Sequence, residues 1–109
     1  MWHNARPYPA EMIREHALLQ LRPGSSQAFE AAFAEAEPLI SATPGFRRLT
    51  LSRCLEDSEK YLLLVDWDKL EDHTTGFRGS THYSEWRRLL HPFYDPFPEV
   101  LHFEAVDLA

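Results

Sequence analysis

Residues 61–67 read YLLLVDW, with four consecutive aliphatic side chains between Tyr61 and the Asp66-Trp67 pair. Successive side chains of a β-strand point to opposite faces, so Leu62 and Leu64 emerge on one side and Leu63 and Val65 on the other. Such a strand needs apolar cover above and below and belongs at the centre of a sheet. Ala17, Leu18 and Leu19 repeat the feature within residues 12–22, MIREHALLQLR. The rest of the chain has to be arranged around two central strands that are greasy on both faces.

Before Tyr61, Glu56-Asp57-Ser58-Glu59 makes a polar turn, and residues 46–55 alternate. Leu49, Leu51 and Leu55 take one side and Phe46, Arg48, Thr50, Ser52 and Cys54 the other, which predicts a hairpin with 61–67 as its inner member. Further back, Phe29, Ala32, Phe33, Ala36, Leu39 and Ile40 recur at helical steps, with Ser25 and Ser26 offering cap hydroxyls. Pro38 falls inside that pattern and removes a backbone donor, so a kink or a fresh turn is expected there. Pro23-Gly24 and Thr43-Pro44-Gly45 punctuate the two ends.

After Trp67, residues 69–77 and 80–91 have helical composition, interrupted at Gly76 and Gly79, with Tyr83, Trp86, Leu89 and Leu90 as the apolar stripe. The run PFYDPFP holds three prolines in seven residues and reads as an extended crossing into a last strand, EVLHFEAV, at 99–106. Residues 1–11, with Pro7 and Pro9, read as an N-terminal arm, and residues 12–109 as a single domain.

Strand, helix, strand, strand, helix, strand is the order of an α+β, ferredoxin-like split βαβ fold (βαββαβ), with a four-stranded antiparallel sheet and both helical segments on one face. The other face is then bare, although the successive apolar residues 62–65 and 17–19 make both faces of the sheet apolar at its centre. A second copy of the chain is the economical cover, and the expected assembly is a homodimer sharing a dimeric α/β barrel.

Composition narrows the partners. The chain has 109 residues, a formal charge of −6 and a pI near 5.4, so a phosphate-tracking surface, and with it nucleic acid, is not expected. Cys54 is the single cysteine and forms no internal disulfide, which suits a reducing compartment. The first residues lack the apolar run of a signal peptide, and no stretch of about eighteen apolar residues occurs, so no membrane partner and a cytoplasmic location are expected. Seven Phe, four Tyr and three Trp exceed what a minimal core needs and leave aromatics for a pocket.

Scattered residues carry a likeness: Pro23-Gly24, Pro44-Gly45-Phe46, Asp66-Trp67, Phe77, Ser80, Tyr83, Trp86, and the proline-rich crossing into Val100-Leu101-His102-Phe103. Over residues 12–106 this pattern resembles the antibiotic biosynthesis monooxygenase superfamily. The resemblance implies a pocket between helices and sheet, in which some members oxygenate polyphenolic aromatics with molecular oxygen and no cofactor. Such chemistry needs an apolar cavity, a base to deprotonate a phenol, and a cation or donor to hold the anion.

Trp67 matches the tryptophan that many members carry at this point, able to stack on a flat substrate or to serve as a rim residue of the core. His73 and Arg87 are the candidates for base and anion clamp, if both face the cavity. His82, four residues before Trp86, either joins the pocket or packs on the indole. Phe77, Tyr83, Trp86 and Phe93 are candidate substrate lining. His102 and Glu104 share a strand face with His16 on a neighbouring strand, but two ligands at that spacing do not define a metal site, and none is expected. Haem-degrading relatives need a histidine where this chain places Arg87 and an amide near Ala17, so haem degradation is disfavoured. A cofactor-independent monooxygenase acting on a small phenolic or quinol-like aromatic is the leading expectation, with a non-catalytic small-molecule-binding domain as the alternative.

Overall fold

The computed structural model describes residues 12–108; the arm proposed for residues 1–11 lies outside them. The strands are β1 (Ile13–Gln20), β2 (Phe46–Arg53), β3 (Lys60–Trp67) and β4 (Val100–Glu104), and the principal helices are α1 (Ser26–Ser41) and α2 (Thr81–Leu90). Between β3 and α2 lies a π-helical turn, Asp72–Phe77, and a 3-10 turn, His91–Phe93, follows α2. All pairings are antiparallel and the strand order is β2-β3-β1-β4, so the ferredoxin-like βαββαβ plan is the fold, with β1 and β3 at the centre.

Alternation sorts the central strands. Ala17, Leu19, Tyr61, Leu63, Val65 and Trp67 face the helices and are buried against Phe29, Phe33, Ala36 and Ile40 of α1 and Trp86 and Leu90 of α2. Burying a large apolar side chain stabilises by roughly 1.5–3 kcal/mol, so this layer holds the fold. On the opposite face Leu18 and Phe103 remain 49% and 47% exposed. That face also carries a charged knot, in which Asp66 accepts from Arg14 at 2.8 and 3.1 Å and from Arg48 at 2.7 Å.

Three local expectations are corrected. A bulge between Phe46 and Arg48 resets the phase of β2, so Phe46 joins Leu49 and Leu51 on the core side and meets Trp67 edge-on at 5.9 Å. Leu55 falls beyond the strand end and is 95% exposed. Pro38 sits within a continuous α1. It and Ala34 lie on the exposed side of the helix, so the missing bond to the Ala34 carbonyl falls on the solvent side. The helix start is held from outside it: Glu59 accepts from the backbone N–H groups of Gly24 and Ser25, while the hydroxyls of Ser25 and Ser26 donate to the carbonyls of Arg22 and Ser58.

Candidate active site

Glu15 lies on β1 in phase with Ala17 and Leu19, so strand alternation drives a carboxyl into the layer between sheet and helices, where it is only 5% exposed. Trp67, at the end of β3, donates its indole N–H to Glu15 Oε1 at 3.0 Å. The β1–β4 register sets His102 directly opposite Glu15. His73 comes from the π-helical turn. Its Nε2 is 3.4 Å from the same carboxyl oxygen, and its Nδ1 is 2.7 Å from Nε2 of His102. The His73 ring stacks on Trp67 with centroids 5.3 Å apart and planes inclined by 19°. Four residues from four elements thus form one line, Trp67–Glu15–His73 and on to His102.

The line opens into a cavity of about 80 Å3. Ala17, Leu19 and Leu63 contribute the sheet side, and Phe77, Tyr83, Trp86 and Tyr94 an aromatic wall, with Glu15, His73, Arg78 and His91 among its polar groups. Phe77 meets Trp86 and Tyr83 edge to face at 5.5 and 5.3 Å, a geometry that fixes the wall. Arg78 reaches this cavity because a π-helical turn advances by five residues: its N–H donates to the His73 carbonyl at 3.1 Å, one turn back.

Burial sets the proton affinities. It pushes the Glu15 carboxyl up to about 7, against the Trp67 N–H bond and the Arg78 charge, which both favour the anion. The same burial, with Arg78 and His102 adding, pushes the His73 imidazole down to about 3, so this ring is neutral at pH 7. Burial also raises the Tyr94 phenol, with Glu15 and Tyr83 contributing, which leaves it a hydrogen-bond donor at neutral pH. A carboxyl that is part ionised near pH 7, facing an apolar cavity, is equipped for general acid–base work.

The residues singled out from sequence divide. His73, Phe77, Tyr83 and Trp86 line the cavity, and Trp67 stands behind it, joined through Glu15. Phe93 packs edge-on against Phe29 at 5.6 Å and does not line the cavity. His82, at the edge of the inward stripe formed by Tyr83, Trp86 and Leu90, is exposed and does not line it either. Arg87 is exposed as well, with its guanidinium 5.8 Å from the Tyr83 ring centre in an outer groove with Ser84 and His91. Glu15, Arg78 and Tyr94 escaped the sequence reading. A signal existed for Glu15, the one charge in the inward phase of an otherwise apolar strand.

His16 belongs to the other face of β1 and packs edge-on against Phe103 at 5.7 Å, away from His102. Among the described residues no three His, Cys, Asp or Glu side chains are arranged to hold a metal ion. His73 presents one nitrogen to Glu15 and the other to His102, so these three form a chain and do not converge on one point.

The molecule is an antiparallel α+β domain with an aromatic cavity between helices and sheet and a carboxyl turned into that layer. A family model for antibiotic biosynthesis monooxygenase matches residues 12–89. Uncharacterized protein YczJ of Bacillus subtilis (strain 168) is 55% identical over 95 residues, 87% of this chain and 100% of that protein. The crystal structure of a protein from Bordetella bronchiseptica named "putative antibiotic biosynthesis monooxygenase" superposes with a TM-score of 0.83 at 35% identity, covering 88% of this chain and 98% of that one. SnoaB of Streptomyces nogalater, a cofactor-independent oxygenase, shares the fold with a TM-score of 0.79 at 20% identity, over 89% of this chain and 95% of its own. The chain belongs to the antibiotic biosynthesis monooxygenase family. None of the helices among the described residues is long and apolar enough to cross a membrane.

Proposed function

We propose that this chain is a cofactor-independent monooxygenase that oxidises a small phenolic or quinol-like aromatic with molecular oxygen. The observation that carries the reading is the Glu15 carboxyl, held near neutrality at the polar end of an aromatic cavity. The SnoaB fold supports the reaction class. Glu15 takes the substrate proton. Trp67 holds the carboxyl in place through its N–H, and Arg78 with the Tyr94 hydroxyl stabilises the anion that results. The electron-rich anion then reduces oxygen by one electron, and the two radicals combine at carbon as a hydroperoxide. For a substrate with an activated methylene the hydroperoxide loses water. In balance, the methylene and one dioxygen become a carbonyl and one water: the first methylene proton, held on Glu15, completes the hydroperoxide, and the second leaves carbon through Glu15 to the departing hydroxide.

The cavity of about 80 Å3 is small. Sites for drug-sized ligands run to roughly 300–1,000 Å3, so a one-ring or compact two-ring substrate fits better than an extended polyphenol unless the exposed Phe97 beside the cavity yields. The open sheet face, with Leu18, Leu101 and Phe103 in water in a single chain, supports a homodimer as the working form.

A panel of quinols, dihydroxynaphthalenes and anthrones incubated with oxygen-18 gas tests the proposal. Product carrying one heavy oxygen atom, at a rate proportional to protein, is the expected result. Thermal stabilisation by a panel member with no labelled product, from folded protein, would move the chain to the non-catalytic binding class.

A further inference from the structure

Glu15, His73 and His102 are arranged differently from a pocket base with incidental neighbours. Each of the two gaps joins a nitrogen of His73 to a different partner: Nε2 to Glu15 at 3.4 Å, Nδ1 to His102 Nε2 at 2.7 Å. Glu15 is 5% and His73 3% exposed, whereas His102 is half-buried on the edge strand β4. The line therefore runs from the cavity, through a buried imidazole, to a residue that meets water. We infer that Glu15, His73 and His102 form a proton relay between the cavity and solvent, in which both imidazoles switch tautomer together as the carboxyl gains or loses its proton.

The relay has two states and needs no ring to turn over. In the first, protonated Glu15 donates to Nε2 of His73, whose Nδ1–H donates to Nε2 of His102, whose own proton is on Nδ1. In the second, the Glu15 proton has moved to Nε2 of His73, the Nδ1 proton of His73 to Nε2 of His102, and the Nδ1 proton of His102 to water. Each electron pair stays on the atom that releases its proton, and one proton leaves in all. The reverse sequence reloads the carboxyl. His73 never carries a full charge in either state, which agrees with the depression of its basicity by burial and Arg78. A filled cavity blocks direct access of water to Glu15, and the relay is the route by which the carboxyl keeps equilibrium with solvent during turnover.

Other groups around the line set its balance. Trp67 donates from β3 to Glu15, and Arg78, just past the π-helical turn, bears on Glu15, His73 and His102 alike. Tyr83 and His91 line the cavity from α2 and the 3-10 turn, as does Tyr94 just after that turn. Glu104 lies two residues past His102 on the same strand face. None of these bridges both gaps as His73 does.

The inference rests on the proposed role of Glu15 as the base, and its test is independent of turnover. Nitrogen-15 labelling of the histidines in the full chain, followed by NMR of the ring nitrogens from pH 5 to 9, reads the tautomers directly. His73 is expected to pass from the Nδ1–H to the Nε2–H form with a midpoint near that of the carboxyl, without an imidazolium signal, and His102 to switch with it. In Glu15→Gln, confirmed folded by circular dichroism, His73 is expected to stay in one tautomer throughout. A wild-type His73 that keeps one tautomer, one that titrates to imidazolium in this range, or a switch that survives in Glu15→Gln would each overturn the relay.

A kinetic arm adds a signature that mere structural support by His102 would not give. His102→Ala, or His102→Gln if the alanine variant does not fold, is expected to lower turnover by about tenfold or more and to regain it with added imidazole. Slow turnover that imidazole leaves unchanged would overturn the relay. If the wild-type protein oxidises no aromatic, the oxygenase reading fails while the NMR result still decides the relay.

Discussion

Glu15 carries an energetic signature that needs no substrate. Its folded-state proton affinity lies near 7, above the ordinary carboxylate value of 4.5, because ionisation inside the layer costs solvation. A folded-state pKa raised above the unfolded one means that the folded form holds a proton the unfolded form has lost. Stability is therefore full below about 4.5, falls between that value and about 7, and is level above. Glu15→Gln removes the ionisation, so its stability relative to wild type is expected to improve by on the order of 3 kcal/mol between pH 4 and pH 8, measured by urea unfolding. Equal pH dependence in the two proteins would contradict a buried, reluctant carboxyl. Trp67→Phe keeps an aromatic ring against His73 but deletes the donor to the carboxyl. It is expected to raise the Glu15 pKa further, by about one unit, visible as a shift in carboxyl carbon NMR. At this scale the sequence disclosed types but not directions. His73 stood out as a helical histidine near Trp67. Arg78 was overlooked in favour of Arg87, because only the five-residue advance of the π-helical turn brings it beside His73, and composition does not distinguish that turn from an α-helix.

The element that matters most is the π-helical turn, and its position is secured by a glycine on the other side of the chain. Gly45 has φ +90°, and a Cβ built there would lie 2.0 Å from Asp72 Oδ2 and 2.8 Å from Asp72 Cβ. Asp72 accepts from the Lys69 N–H at 3.1 Å and so starts the turn that carries His73. Gly45→Ala is expected to destabilise the fold by about 2–3 kcal/mol through backbone strain plus displacement of Asp72. Gly24, with φ +77° but open space where a Cβ would stand, is the control. Gly24→Ala is expected to lose only about 1 kcal/mol, and equal losses in the two variants would contradict the Asp72 contact. Element identities were readable because apolar periodicity is long and clean in β3 and α1. Phase errors arose where one residue upset the count: the bulge beside Arg47 moves Phe46 to the core side, and no turn residue announces it. Pro38 misled in the other direction, since an exposed helix face tolerates a missing bond.

For the whole molecule, the order strand, helix, strand, strand, helix, strand led to the four-stranded plan, and the doubly apolar stretches Ala17–Leu19 and 62–65 showed that its central strands need cover on both sides. The proposed cover of the open face is a second copy of the chain. Leu18→Glu places a charge in the middle of the open face, and light scattering is expected to show a shift from two-chain to one-chain mass with the secondary structure kept. An unchanged mass would remove that face from the assembly. The candidate site was less legible than the fold, since Glu15, His73, Arg78 and Tyr94 come from separate segments and meet only through strand register and helix phase.

All the chemistry proposed above passes through one proton acceptor, and oxygen uptake against pH addresses it most directly. With a quinol oxidised by the wild-type chain, kcat/KM is expected to rise through a single ionisation near pH 7, and Glu15→Gln is expected to lose at least about a hundredfold at every pH. A Glu15→Gln enzyme that consumes oxygen at the wild-type rate with the same pH profile would contradict the assignment of Glu15 as the base.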